Sequence, residues 1–129
     1  MRKISMFIVD DDEDVVNALK AVFKPNKRYR VRAHTSAATA LQDAEHNPPQ
    51  LVLCDQMMPD CSGIELLGRL KQRWPGLRSI LLTGQSFDDV AITRAMNEGV
   101  VDLYISKPYN QVHLEEAVGR LARVVAKNG

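Results

Sequence analysis

The sequence predicts an α/β fold built on a doubly wound, five-stranded parallel sheet in the order 2-1-3-4-5, with strands and five helices alternating along the chain. Three observations predict it. Five short apolar runs punctuate the sequence, at Ile4–Val9, Tyr29–His34, Leu51–Cys54, Ser79–Leu82 and Val101–Ile105, and a helical stretch follows each. Four of the five are nearly continuous in Ile, Val, Leu and Phe, the pattern of parallel strands covered on both faces. The exception is Tyr29–His34, where Tyr29, Val31 and Ala33 alternate with Arg30, Arg32 and His34; a period of two marks a half-exposed edge strand. With strand 2 at an edge, right-handed crossovers favour the order 2-1-3-4-5. The chain then reverses direction between strands 1 and 3, and a ligand crevice opens at their carboxyl ends.

Taken in order, the first strand runs into Asp10-Asp11-Asp12-Glu13-Asp14, an acidic opening for the first helix. The second helix stops at Pro48-Pro49. Strand 3 ends in Asp55, and the next helix opens with a capping box, Ser62 and Glu65, ahead of Ile64, Leu66, Leu67 and Leu70. Trp74 packs at its end, before Pro75-Gly76. Strand 4 ends in Thr83, with Ser86 the expected N-cap of the fourth helix. Strand 5 runs into Ser106-Lys107-Pro108, and Asn110 is the expected N-cap of the fifth helix, whose apolar face is Leu114, Val118, Leu121 and Val125.

A length of 129 residues fits one domain spanning 1–129, with its core at about 4–126 and no output domain in this chain. Apolar residues at 45% and charged residues at 26% exclude disorder and fibrous repeats. Seventeen Lys and Arg against sixteen Asp and Glu leave a net charge of +1, so no global field points to nucleic acid or a membrane. The apolar stretch from Ile4 to Val9 is interrupted by Ser5 and is shorter than the core of about 7–15 residues a signal peptide needs. The longest uninterrupted apolar runs are far below the roughly 20 residues of a membrane span. Cys54 and Cys61 are too few and too close for a disulfide framework or a four-ligand zinc site. The expectation is a soluble, cytoplasmic protein with reduced thiols.

The polar strand ends carry the chemistry. The strand order gathers Asp10, Asp11, Asp55, Thr83 and Lys107 around one crevice. Three carboxylates against one ammonium leave two negative charges unbalanced, a costly arrangement unless a cation joins them. All-oxygen ligands suit magnesium. For Asp12, Glu13 and Asp14, favourable interaction with a helix dipole is an equally good reading. A calcium loop starting at Asp10 fails, because Val15 stands where glycine is needed and Ala21 where glutamate is needed.

From about Ser5 to Val125 the chain resembles the receiver domains of two-component response regulators, including the chemotaxis regulators. The matching residues are Val9-Asp10-Asp11, Asp55-Gln56-Met57-Met58-Pro59 with Gly63, Leu82-Thr83-Gly84 and Lys107-Pro108, four motifs in order, each at a strand end. The resemblance implies a flavodoxin-like fold and a phosphorylation-dependent switch in a phosphorelay. Asp55 would be the phosphoacceptor, a carboxylate nucleophile that forms an acyl phosphate. Asp10, Asp11, Asp55 and the carbonyl of Met57 would hold Mg2+, Asp10 mainly through water. Lys107 would neutralise phosphoryl oxygens as a point charge, and Thr83 would bond one of them. Gly84 leaves the backbone room to approach. A cis Lys107-Pro108 bond would hold the lysine in place. Tyr104 stands where receivers carry a switch aromatic, beside a readout surface of roughly Asp88 to Val125.

The same resemblance implies a sensor histidine kinase or phosphotransfer protein as donor and a downstream effector domain or protein as reader. It implies no direct nucleic-acid binding by this domain and no membrane contact, and it is compatible with a homodimer. By the same resemblance the chain is expected to be a phosphoacceptor signalling domain and not an enzyme, catalysing only its own phosphotransfer and dephosphorylation. Thr83-Gly84-Gln85, Asn97-Glu98-Gly99 and Tyr104–Tyr109 look like receivers fused to HD-GYP phosphodiesterases or AAA+ activators. Two departures stand out. Asp12-Glu13 replaces the usual Glu-Pro, adding charge beside the site. Met57, with Gln85, occupies a position that influences acyl-phosphate lifetime, and slow hydrolysis is the analogy.

Other residues read more simply. Lys24, Lys27, Arg28, Arg30 and Arg32 are the one basic cluster, expected to guard the edge strand against self-pairing rather than to bind nucleic acid. Cys54 should point away from Asp55 into the core. Cys61 is expected to be passive, and Tyr109 to pack or touch a partner. His34, His46 and His113 are expected to stand on separate elements away from the crevice. Two competing functions remain: a pseudo-receiver that only binds a partner, and a small magnesium-dependent aspartyl phosphatase. The second needs an acidic pair at a strand end after the lysine, whereas Glu115 and Glu116 fall in a helical stretch.

Overall fold

In the computed structural model, residues 2–84 and 89–128 are described. Strands β1 (Ile4–Val9), β2 (Tyr29–His34), β3 (Leu51–Asp55), β4 (Arg78–Thr83) and β5 (Leu103–Ser106) alternate with α1 (Glu13–Phe23), α2 (Ala37–His46), α3 (Gly63–Arg73), α4 (Val90–Asn97) and α5 (Gln111–Asn128). All strand pairs are parallel and the order is β2-β1-β3-β4-β5, as expected.

Side-chain alternation sorts the strands between two cores. Met6, Ile8, Leu51, Leu53, Ile80, Leu82 and Ile105 face the side covered by α1 and α5. Phe7, Val9, Val52, Cys54 and Leu81 face α2, α3 and α4. Cys54 is therefore fully buried with its back to Asp55, and burial drives its thiol pKa well up. Extended by the same period of two, the alternation puts Asp10, Asp55 and Lys107 on the α1/α5 side of the sheet's carboxyl edge. Thr83 and Tyr104 fall on the other.

Strand β5 starts later than the apolar run Val101–Ile105 suggests. Val101 and Asp102 leave the ladder because Val101 donates to the carbonyl of Ala95, and Asp102 pairs its backbone and side chain with Ser79. Strands β3 and β4 reach one residue further, to Asp55 and Thr83, because pairing continues through Asp55 with Leu82 and Thr83 with Ser106. Strand β2 is the half-exposed edge.

Caps set the helix starts. Asp12 caps α1 by accepting from the N–H of Asp14, with Glu13 and Asp14 in the first turn, so these three acids serve the helix end. Ser62 accepts from the N–H of Glu65, while its hydroxyl donates to the Glu65 carboxylate at 3.3 Å; the glutamate half of the box therefore meets the serine side chain and not its backbone. Asn110 caps α5 as expected. Ser86 lies outside the described residues, and the cap seen on α4 is Asp89. Trp74 is the C-cap of α3. At the far end of α4, Gly99 takes φ +77°, and N–H groups of Gly99 and Val100 close on the carbonyls of Met96 and Ala95. Among the described residues no helix is long and apolar enough to cross a membrane.

Candidate functional site

The site lies at the carboxyl edge of the sheet, where β1, β3, β4 and β5 end side by side. Asp10 follows β1 and is 3% exposed; Asp55 ends β3 and is 6% exposed. Asp11, next along, is exposed. One carboxylate oxygen from each of the three lies within 4.8 Å of the others. Lys107, reached from β5, donates from Nζ to Oδ1 of Asp55 and sits 3.9 Å from Oδ2 of Asp10. The Lys107-Pro108 bond is cis.

Backbone ties hold these groups. The N–H of Lys107 donates to the carbonyl of Thr83, and that of Gln56 to the carbonyl of Leu82. Gln56, not singled out from the sequence, is buried and joins the end of β3 to α3: its carbonyl accepts from the N–H of Gly63, and its Oε1 from that of Ile64. The loop after β3 is also fastened to α2, where Asp60 accepts from the N–H of Ala37. Asp10 uses Oδ1 to accept from the N–H of Asp12.

Its other oxygen, Oδ2, is buried without a hydrogen-bond partner. A buried, unsatisfied carboxylate oxygen is costly. Burial is the chief cause that raises the Asp10 pKa, and the negative charges of Asp55 and Asp11 add to it, against the Asp12 N–H and Lys107. Burial alone pulls the Lys107 ammonium down, but its bond to Asp55 and the charges of Asp55 and Asp10 outweigh this and leave its pKa raised. An orphaned oxygen, two more carboxylates and no soft ligand form a donor set for a small hard cation. The cluster can hold a metal.

The family model of the response regulator receiver domain matches residues 6–119. The chain belongs to that family. This receiver is similar to the hydrogenase transcriptional regulatory protein HoxA of Cupriavidus necator, 31% identical over 117 residues that cover 91% of this chain and 24% of HoxA. It is also similar to the transcriptional regulatory protein KdpE of Mycobacterium tuberculosis, 30% identical over 123 residues covering 95% of this chain and 51% of KdpE. The receiver thus spans between a quarter and about half the length of these relatives. Among solved structures, the CheY-like response regulator receiver domain protein of Methanospirillum hungatei superposes with a TM-score of 0.89 at 29% identity, covering 99% of this chain and all of that one. Receivers of this family are signalling domains.

The remaining expected residues fall as follows. Thr83 is buried at the end of β4. Tyr104 is half-buried on β5 against the α2/α3/α4 core. Met57 follows Asp55 by two positions and its side chain is 66% exposed. Gln85 and Asp88 lie outside the described residues. Tyr109 packs on the α1/α5 core. Cys61 is half-buried, and burial together with Asp60 and Glu65 raises its thiol pKa, which disfavours the reactive thiolate. Glu115 and Glu116 lie on α5, away from any strand end.

His34 meets the site through its backbone: its carbonyl accepts the N–H of Asp10, because β2 pairs with β1 to its last residue. Its ring leans on Phe7, with centroids 5.0 Å apart, and its Nε2 meets Oδ2 of Asp43 at 2.9 Å. Arg32 donates to the same oxygen. This grouping joins β2 to α2, and only the fold brings its members together.

Proposed function

We propose that this receiver is a phosphorylation-controlled switch in which Asp55 takes a phosphoryl group from a phosphohistidine of a sensor histidine kinase or phosphotransfer protein. The observation that carries this reading is the gathering of three carboxylate oxygens within 4.8 Å, with Lys107 bonded to the one proposed as nucleophile. Asp10, Asp11 and Asp55, with the carbonyl of Met57, would hold the cation, and the orphaned Oδ2 of Asp10 supports that fit. Magnesium bound there supplies positive charge to the phosphoryl oxygens. In the transfer, an Asp55 oxygen attacks phosphorus and the phosphorus–nitrogen bond of the donor breaks. The bonding pair leaves with the imidazole nitrogen, which the imidazole retains. Lys107 then shifts from carboxylate to phosphoryl oxygen, and the Thr83 hydroxyl donates to another.

The acyl phosphate replaces one negative charge with roughly two, by analogy with other phosphorylated side chains. Such a change biases a two-state element, and moving it from 1:99 to 99:1 takes roughly 5.5 kcal/mol of differential interaction. Charge-assisted bonds from Lys107 and Thr83 are of the right kind. The readout would run through Thr83 and Tyr104 to the face of α4, β5 and α5, where a downstream effector domain or protein binds. Residues 1–129 would act as a single receiver unit in the cytoplasm, catalysing only its own phosphotransfer and dephosphorylation.

Intact-mass measurement after incubation with acetyl phosphate tests this, with and without magnesium, for the natural sequence, Asp55→Ala and Asp10→Asn. The expected result is one phosphoryl group, dependent on magnesium and absent in Asp55→Ala. No adduct, with no phosphate released, would overturn the switch in favour of a partner-binding module. Rapid phosphate release that needs Asp10 and not Asp55 would favour a phosphatase.

A further inference from the structure

The pole of the sheet opposite the carboxylates is basic. A trough of about 940 Å³ runs there between the starts of β1 and β2 and the last turns of α5. Its rim carries Arg2, Lys3, Arg28, Arg30 and Arg123, all exposed. Among the described residues no carboxylate lines it. Among the described residues none of the five forms an ion pair; Arg28 is held over the Tyr29 ring at 5.3 Å and donates to its hydroxyl. The floor is apolar, from Ile4, Ala122, Val125 and Ala126. Guarding an edge strand accounts for Arg30 on β2, but not for Arg2, Lys3 and Arg123, which come from the chain start and from α5. Arg28 and Arg123 also line the neighbouring hollow with Glu115 and Glu116, so in a chain whose charges nearly cancel it is Arg2, Lys3 and Arg30 that give the trough a local excess a partner can neutralise.

We propose that this trough docks an acidic peptide segment of a partner protein, with apolar side chains on the floor and carboxylates on the rim. Charge complementarity selects an anion, and the apolar floor selects one with side chains to bury. The rim of the trough is made of exposed side chains, unlike pockets that bury most of a small ligand. Among the described residues no aromatic ring lines it, whereas single-stranded nucleic-acid sites stack bases on such rings. The surface does not involve the Asp55 chemistry, so it stands or falls separately from the switch.

The test is fluorescence anisotropy at low salt with a short fluorescein-labelled peptide of Asp, Glu and Leu. Companion probes carry Asn and Gln in place of the acids, or Ser in place of Leu. Arg30→Gln/Arg123→Gln should weaken binding at least about tenfold, as should Ala126→Asp, which puts a carboxylate on the floor at an exposed helix position. Both companion probes should bind more weakly, and salt should weaken the parent. Equal binding to the double variant, or to the Leu-free probe, would overturn the proposal. So would displacement of the peptide by equimolar tripolyphosphate, which would mark a general anion patch. Unchanged circular dichroism and thermal midpoints confirm that the variants are folded.

Discussion

Gly63, the first residue of α3, sits directly against the main-chain carbonyl of Asp55. A Cβ at Gly63 would overlap that oxygen and come within 2.8 Å of Cδ1 of Leu81. Neither neighbour can retreat easily, since one is strand backbone and the other is fully buried. Gly63→Ala should therefore cost about 1–3 kcal/mol in a urea melt. It should also slow phosphorylation by acetyl phosphate at temperatures where the protein is folded, because the displaced backbone carries Asp55, the proposed nucleophile.

Asp10 predicts the opposite sign. Its folded carboxyl titrates above the ordinary value, mainly through burial, so the ionised form is a liability to the fold at neutral pH. Asp10→Asn should raise stability without metal at pH 7. That advantage should shrink as pH falls through the raised pKa, where the natural carboxyl becomes neutral as well. Added magnesium should raise the thermal midpoint of the natural sequence and leave the variant nearly unmoved.

Asp43 behaves as a conventional ion-pair acid. The Arg32 hydrogen bond, helped by Asn47 and His34, holds its pKa at about 2. A depressed folded pKa gives stability that is present above the unfolded value and lost as pH falls through the folded one. Asp43→Asn should thus cost about 1 kcal/mol at neutral pH, where the exposed Arg32 is screened by solvent. Melts between pH 4 and pH 2 should show the difference vanish.

Asp102 anchors the end of the sheet remote from the site. Its carboxylate accepts from Lys71, Arg78 and the N–H of Ser79, at 2.7, 3.3 and 2.8 Å. Asp102→Ala leaves a mostly covered ammonium and a backbone N–H without that partner. A loss of about 2–4 kcal/mol is expected. Phosphorylation kinetics of the folded variant should match the natural sequence, since the hub and Asp55 lie at opposite ends of the strands.

The features legible from sequence are those written locally. Continuous runs such as Met6–Val9 and Leu51–Cys54 announce buried strands, and a polar residue at the end of each, Asp10, Asp55 or Thr83, announces the edge where chemistry gathers. Asn110 and Ser62 announce helix starts because their partners are two or three residues away. The Asp102–Lys71 pair spans 31 positions and the Asp60–Ala37 bond 23, and nothing in either neighbourhood marks them. Gln56 is inconspicuous in the sequence because an amide beside Asp55 looks incidental until α3 is packed behind it. Val101 and Asp102 read as strand because valine followed by leucine, tyrosine and isoleucine fits one. The demands of Ser79 on Asp102 decide otherwise.

The cap of α4 has a mechanical consequence. At its C-terminal end this short helix is clamped twice, by the turn at Gly99 and by Lys71, which bonds the Gly99 carbonyl and reaches Asp102 as well. Its other end is held at Asp89 by a cap of its own side chain to its own backbone. A pull on α4 is therefore shared at its Gly99 end with the third helix and the start of β5, through Lys71 and Asp102.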